Sequence, residues 1–114
     1  MEIAATAVIA ATILANGGMA VADLLRAKFV LANSSEVGVP ESWLPAMGAL
    51  KAAGAAGLLL GLLGVPFVGL AAAIGLALFF VGAMIAHIRA RVFYNIHFPG
   101  AYLALALGST AAAW

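Results

Sequence analysis

The sequence predicts an all-α membrane protein built as an antiparallel bundle of four transmembrane helices. Of its 114 residues, 67% are hydrophobic and only 8% are charged, whereas about 25% of the residues in a soluble domain are charged. A small soluble domain leaves about a third of its surface in water, so a chain this apolar belongs in lipid. Four apolar runs approach the roughly 20 residues that a helix needs to cross a bilayer.

The four apolar runs are predicted as the spans of one membrane domain, residues 1–114. They cover residues 3–25, 43–63, 66–88 and 98–114. Gly64 follows the second run and Pro66 begins the third, a pattern typical of a helix end and the next helix start. These two spans are therefore predicted to form an antiparallel hairpin. Residues 26–42 (RAKFVLANSSEVGVPES) are rich in turn formers and are predicted to be a loop.

The positions of the basic residues predict the orientation of the spans. Arg26 and Lys28 follow the first span, and Arg89 and Arg91 follow the third, so all four lie on one side. Because basic residues are retained in the cytoplasm, both termini are expected on the extracytoplasmic side of the plasma membrane. The first run is predicted as a retained span, since no basic residue precedes it as in a signal peptide.

Small residues recur in the spans at the spacing of helix contacts. They are Gly54, Gly57, Gly61 and Gly64 in the second span, Ala71, Gly75, Gly82 and Ala86 in the third, and Ala101, Leu105, Gly108 and Ala112 in the fourth. Such residues let two helix backbones approach closely in lipid. Packing inside one bundle is the preferred interpretation, and the surface of a homo-oligomer or of a partner subunit is the alternative.

Four polar residues of the spans form the candidate binding site. Lys51 lies eight residues after Trp43, about 12 Å below the cytoplasmic boundary at 1.5 Å per residue. Asn16 lies at nearly the same depth, and Asp23 follows it by seven residues on the same helix face. His87 comes at the end of the third span. The candidate site therefore consists of Asn16, Asp23, Lys51 and His87.

Each of these residues also has a structural interpretation. Lys51 can extend its amine to the boundary, or it can pair with Asp23 and fix the register of two helices. Asn16 can serve as an interhelical hydrogen-bonding group, and His87 can lie at the membrane interface. Ionisable residues within spans are nevertheless candidates for function by default, so both interpretations stay open.

The residue content excludes several classes of site. The chain has no cysteine, which excludes disulfides, thiol catalysis and thiolate metal sites. His87 and His97 lie ten residues apart without a third ligand in register, so no metal site is predicted. No basic patch with interleaved aromatic residues points to nucleic acid. No catalytic residue is predicted, and the enzyme question stays open.

Two long segments carry a resemblance to a known family. They are VGVPESWLPAMGALKAAGAAGLLLGL (37–62) and GLALFFVGAMIAHIRARVFYNIHFPG (75–100), which resemble the DoxX-like membrane proteins. The most specific pieces are the Pro-Glu-Ser-Trp entry, Leu50-Lys51 and His87-x-Arg89, with Asn16-Gly17 and Asp23-Leu24 fitting less tightly. The resemblance implies a four-helix bundle with Lys51 and His87 at motif positions. The wider group is similar to the small subunit of a thiosulfate:quinone oxidoreductase and to membrane proteins linked to oxidative stress.

Three functions are compatible with these features. In the first, Lys51, Asn16 and His87 hydrogen-bond the oxygens of a lipophilic quinone-type molecule, and a partner redox protein supplies electrons. In the second, the chain is a structural or assembly subunit, and the Asp23–Lys51 pair fixes helix register. A small transporter is the least favoured, because the discontinuous helices of transporters have no counterpart in this sequence.

Overall fold

The structure, a computed structural model that describes residues 2–114, is all-α. Helices cover 81% of the chain, and no strand occurs among the described residues. In chain order they are α1 (Ile3–Leu24), α2 (Lys28–Glu36), α3 (Leu44–Leu62), α4 (Val68–Arg89) and α5 (His97–Ala113), with a 3-10 turn at Glu41–Trp43. The all-α fold class is confirmed. The ends of the four longest helices lie within two residues of the ends of the apolar runs.

Three segments are long and apolar enough to cross a membrane. They are Ile3–Leu24, Glu41–Leu62 and Val68–Arg89, each of 22 residues. α5 has 17 residues, fewer than the roughly 20 that a straight span needs. Large apolar side chains cover the outside of these helices, with Leu14 76% and Leu78 68% exposed. Such a surface is compatible with lipid rather than water, so the protein is a membrane protein with three candidate spans.

The four longest helices pack around a common apolar core. α1 contacts α3 and α5, and α4 contacts the same two helices, so the contacts close a ring in the order α1, α3, α4, α5. Ile9, Leu58, Ala73, Phe80 and Ala106 meet in the middle of this ring. The molecule measures 39 × 24 × 18 Å, and its long dimension is comparable with a bilayer of about 40–45 Å including the headgroups.

Glycines bring α3 and α4 into backbone contact. A Cβ atom added to Gly61 would lie 2.8 Å from the Cα of Gly69, and one added to Gly54 would lie 2.5 Å from the Leu76 side chain. No side chain fits at these points, which is why the two helices can pack so closely. The predicted antiparallel hairpin is confirmed. For Gly54, Gly57 and Gly61, the interpretation as packing within the chain is confirmed as well, but it is wrong for Gly64, which lies in the turn with nothing within 4 Å of an added Cβ.

The small residues of α4 behave differently. A Cβ atom added to Gly75 or Gly82 would meet nothing within 4 Å, and both residues are exposed. Packing within the bundle is therefore the wrong interpretation for these two glycines. The physical reason is that α4 turns another face, with Ala73, Leu76 and Phe80, toward the core.

Several helices end in a left-handed residue. After α3, Gly64 has φ +102° and the Val65 N–H donates to the Leu60 carbonyl at 3.1 Å, the pattern of a Schellman motif. After α1 and α4 the same position holds Arg26 (φ +53°) and Arg91 (φ +57°). A residue with a side chain pays about 1–2 kcal/mol in this conformation. Two helix ends therefore store backbone strain at arginines.

The two ends of the molecule differ in charge. At one end, the α3–α4 turn lies close to the end of α5. Pro66 and Phe67 of the turn and Trp114 line one cleft, together with Ile9 of α1. The opposite end holds the last turns of α1 and α4 and the first turns of α3 and α5. It carries Arg26, Lys28, Arg89 and Arg91 and is called the basic end below.

The segment 26–42 is not the simple loop that was predicted. It forms α2 and the 3-10 turn, so that prediction is wrong. Its serine and asparagine residues, typical of turns, are helical here: Ser34 is buried and its hydroxyl donates to the Val30 carbonyl at 2.6 Å. Gly38, with φ +76°, follows the end of α2. The turn-forming residues thus end the helix rather than prevent it.

Two side-chain hydrogen bonds tie α2 to the connection between α4 and α5. The Asn95 amide donates to Asn33 Oδ1 at 3.1 Å, and the Tyr94 hydroxyl donates to Glu36 Oε1 at 2.6 Å. The hydrogen bond to Glu36 is the main reason that the pKa of Tyr94 is raised above its ordinary value. Contacts distant in sequence therefore hold α2 against the basic end.

Candidate functional site

A buried ion pair joins α1 and α3. Lys51 Nζ donates to Asp23 Oδ2 at 2.7 Å, and only 6% and 1% of the two side chains are exposed. The Cα–Cβ bond of a helical residue tilts toward the helix start, so the Lys51 stem reaches back toward the basic end, where Asp23 lies. Gly48, one turn earlier, allows the close approach, since a Cβ there would lie 3.1 Å from the Ala20 carbonyl. The pairing that the sequence left open is present in the structure.

Aromatic residues continue from this ion pair across the interior. Lys51 Nζ lies 5.3 Å from the centroid of the Phe79 ring, within the range of a cation–π contact. The Phe79 ring packs edge-on against the Phe80 ring, with 5.0 Å between the ring centroids. The centroids of the Phe80 and Tyr102 rings lie 5.2 Å apart. The Tyr102 hydroxyl donates to the Ala15 carbonyl at 3.3 Å. The row therefore links the ammonium on α3 to α4, α5 and α1.

Asn16 is completely buried but does not bond to the ion pair. Its Nδ2 donates to the Thr12 carbonyl one turn earlier at 3.0 Å. Its Oδ1 has no hydrogen-bond partner within residues 2–114. A backbone carbonyl can only accept a hydrogen bond, so the amide orientation follows from this contact. The unsatisfied atom of Asn16 is an acceptor.

His87 is buried in the last turns of α4, with 3% of its surface exposed. Its Nδ1 lies 2.9 Å from the Ala83 carbonyl. Because that carbonyl cannot donate, Nδ1 carries the proton of a neutral ring and Nε2 is left as an acceptor. Nε2 is buried and has no partner among the described residues.

The candidate residues thus divide into a bonded pair and two separate groups. The structure brings Asp23 and Lys51 together, while Asn16 and His87 bond only to carbonyls of their own helices. All four are buried. His97, in contrast, is exposed, with its ring 4.3 Å from Phe98.

A comparison with protein families gives a match over most of this chain. The model of the DoxX-like family matches residues 4–109. The chain belongs to the DoxX-like family. The match covers nearly the whole chain and includes all four candidate residues, so the resemblance stated from the sequence is confirmed. No curated protein and no solved structure matches the chain.

The DoxX-like chain has a further polar contact that sequence reasoning missed. The hydroxyls of Thr12 and Ser109 lie 2.8 Å apart, both fully buried between α1 and α5. The Thr12 hydroxyl also contacts the Val8 carbonyl at 2.7 Å. Threonine and serine are common among the small residues of membrane spans, so their presence alone does not indicate a buried polar contact. The spacing of these residues could have indicated the contact, because Thr12, Asn16 and Asp23 lie on one face of α1.

Two cavities of this DoxX-like protein lie away from the ion pair. The larger, about 390 Å³, opens at the end opposite to the basic end and has a mainly apolar lining that includes Leu58, Leu70 and Trp114. The smaller, about 240 Å³, lies beside α2 and is lined by residues such as Ser35 and Glu41. Neither is lined by Asp23 or Lys51.

Proposed function

We propose that this DoxX-like protein crosses a bacterial plasma membrane four times, with α5 as the fourth span and both termini outside. The closed ring of helix contacts supports this proposal, since α5 packs along both α1 and α4. The four basic residues at one end fit the retention of positive charge in the cytoplasm.

Single cysteines can test this topology, because the chain contains none. An impermeant maleimide added to intact cells is expected to label Val65→Cys in the α3–α4 turn. Gly38→Cys, beside α2, is expected to react only after the cells are opened. Labelling in the reverse pattern would show that the orientation is wrong.

We further propose that the protein is an accessory membrane subunit that holds a lipophilic quinone-type molecule near the basic end, in a role linked to oxidative-stress handling. The observation that carries this proposal is that two buried polar atoms of the long helices, Asn16 Oδ1 and His87 Nε2, have no hydrogen-bond partner among residues 2–114. A buried polar atom without a partner costs about 1–3 kcal/mol. Such a cost is understandable where the reduced form of the bound molecule, which carries hydroxyl groups, donates the missing hydrogen bond.

The residues fit a quinone-type molecule in part. An ammonium has three N–H donors and an amide has two, so Lys51 and Asn16 retain donors beyond those used with Asp23 and Thr12. These could bind carbonyl oxygens of the ring. A bound quinone would carry electrons for a partner redox protein. The residues of this chain would orient it and exclude water.

Binding of decylubiquinone to the purified protein in lipid nanodiscs tests the proposal. Lys51→Met is expected to weaken binding at least tenfold, the equivalent of about 1.4 kcal/mol. Lys28→Met is the matched control, because Lys28 is the other lysine and is exposed at the basic end. Circular dichroism verifies that both variants remain helical. Equal binding by wild type and Lys51→Met would contradict the proposal.

A structural role is the second candidate, and the geometry of the ion pair favours it. A short, fully buried bond between Lys51 and Asp23 fixes α1 against α3 without any ligand. In that case, the protein serves to assemble a complex, and replacing the pair by uncharged residues leaves the assembly intact. Failure of decylubiquinone to bind, together with a stable Asp23→Asn/Lys51→Met double variant, would favour this role.

A further inference from the structure

Hydrogen-bond direction distinguishes the kinds of molecule that His87 can hold. Its Nδ1 proton is used by the Ala83 carbonyl at 2.9 Å. The remaining atom of the neutral ring, Nε2, is buried, without a partner in residues 2–114, and can only accept. A carbonyl oxygen of a ligand also only accepts. Neutral His87 therefore cannot bind the carbonyl of an oxidised quinone.

The second unpartnered atom of the spans has the same character. Asn16 Oδ1 is an acceptor, since the Thr12 carbonyl fixes the amide with Nδ2 toward it. Two different side chains on two different helices thus offer acceptors in an apolar interior. Each of these two atoms lacks a hydrogen-bond donor among the described residues.

We propose that the bound molecule carries a hydroxyl group that donates to His87 Nε2, which makes lipophilic phenols and quinols the preferred ligands. This inference rests on the proposed function and specifies the chemical class of its ligand. A hydroxyl completes the hydrogen bonding of His87, whereas a molecule with only carbonyl or ether oxygens leaves Nε2 unsatisfied. Burial strengthens the distinction, because water does not compensate for the missing bond.

Three compounds with the same decyl tail test the proposal: a hydroquinone, the corresponding quinone and the hydroquinone dimethyl ether. Their dissociation constants are measured on the protein in nanodiscs, under argon with a reductant for the hydroquinone. The hydroquinone is expected to bind about tenfold more tightly than the ether, a difference of about 1.4 kcal/mol. The ether keeps the ring and tail but has no hydroxyl proton, so it isolates the donor.

Three variants locate the effect at one side chain. His87→Leu is expected to abolish the preference for the hydroquinone over the ether. His87→Gln is expected to retain part of it, because the glutamine carbonyl is also an acceptor. His97→Leu is the matched control, since the second histidine is exposed, and it is expected to bind like the wild type.

The outcomes separate this inference from the function on which it rests. If none of the three compounds binds the wild type, both proposals are overturned. If all three bind with equal affinity, or the quinone binds most tightly, the hydroxyl proposal is overturned and the binding function stands. If His87→Leu does not fold, the three compounds on the wild type still decide whether a hydroxyl is preferred, and a preference unchanged in His87→Gln overturns the assignment to His87.

Discussion

At the scale of single residues, the ion pair shows how a membrane interior accommodates charge. Lys51 and Asp23 neutralise each other at 2.7 Å, and Phe79 presents its ring to the ammonium. A buried pair of this kind gains little over two apolar residues, but either member alone is costly. Its contribution to folding therefore depends on both partners being present.

Asp23→Asn is expected to destabilise the protein strongly, by about 3–5 kcal/mol, because it leaves the ammonium without its partner in the apolar interior. The double variant Asp23→Asn/Lys51→Met is expected to recover most of this loss. Thermal unfolding in detergent measures both. Breaking the exposed pair of Arg26 and Glu41, 3.4 Å apart, is the control: Glu41→Gln is expected to cost less than about 1 kcal/mol. A double variant no more stable than Asp23→Asn would contradict the coupling.

His87→Leu is expected to leave the ligand-free protein as stable as the wild type or more stable. The substitution removes a buried acceptor that has no partner in the described part of the chain, and such an acceptor costs about 1–3 kcal/mol. Thermal unfolding without added ligand measures the effect. A large loss of stability would show that His87 has a packing role instead.

Much of the site could be predicted at this scale, and one part could not. Charged residues are so rare in the apolar runs that Lys51 and Asp23 were natural partners from type and depth alone. The direction of hydrogen bonding at His87 could not be predicted, because the two ring nitrogens are indistinguishable in a sequence. Only the position of the Ala83 carbonyl fixes which nitrogen carries the proton.

At the scale of helices, glycines decide how closely the elements pack. Gly61 faces the Gly69 backbone, which cannot move aside as a flexible side chain can. Gly75, on the exposed face of α4, has open space around it. The same residue type thus has opposite consequences on neighbouring helices. A glycine pattern in the sequence does not reveal which of its members face the interior.

Gly61→Ala is expected to destabilise the protein by about 1–3 kcal/mol through overpacking. Gly75→Ala is the matched control and is expected to be neutral or to stabilise by up to about 1 kcal/mol, because alanine favours a helix over glycine. Thermal unfolding in one detergent compares the two. Equal effects would contradict the packing of α3 against α4 described above.

Arg91→Gly is expected to stabilise the protein by about 1 kcal/mol, because glycine adopts the left-handed conformation without the steric cost of a side chain. Gly64→Ala, at the equivalent position after α3, is expected to change stability in the opposite direction. Unfolding temperatures of the two variants test the assignment. A loss of stability in Arg91→Gly would indicate that the arginine side chain makes a stabilising contact larger than its backbone strain.

The helices themselves were predictable from apolar length, whereas α2 was not. Asn33, Ser34 and Ser35 are typical of turns, and nothing local indicates that they continue a helix. In the structure α2 is held from a distance, by the contacts of Asn33 with Asn95 and of Glu36 with Tyr94. A tertiary contact outweighed a local preference.

At the scale of the whole molecule, two glycines of α4 lie on a face exposed to the lipid, beside the Leu78 side chain, which is 68% exposed. Gly75 and Gly82 lie two turns apart on it, a spacing that allows helices of two copies to approach. The expectation of a homo-oligomer remains a prediction. It now depends on α4 rather than on α3, whose glycines are occupied within the chain.

The double variant Gly75→Leu/Gly82→Leu is expected to convert a dimer into a monomer, because leucine side chains would hold the two helices apart. Light scattering in a mild detergent, corrected for the detergent mass, measures the change. A wild type that is already monomeric, or a variant that keeps the wild-type mass, would contradict the prediction.

The contact between Thr12 and Ser109 has a consequence for the way the chain is made. A ribosome delivers α1 to the translocon long before it has synthesised α5. The Thr12 hydroxyl therefore lacks its contact with the Ser109 hydroxyl until α5 has been inserted. In the same way, Asp23 has no ion-pair partner until the segment with Lys51 has been synthesised. The helix that carries Thr12, Asn16 and Asp23 thus enters the membrane before the helices that bury these side chains. A nascent chain arrested before residue 97 would present that helix face to the proteases that survey the bilayer.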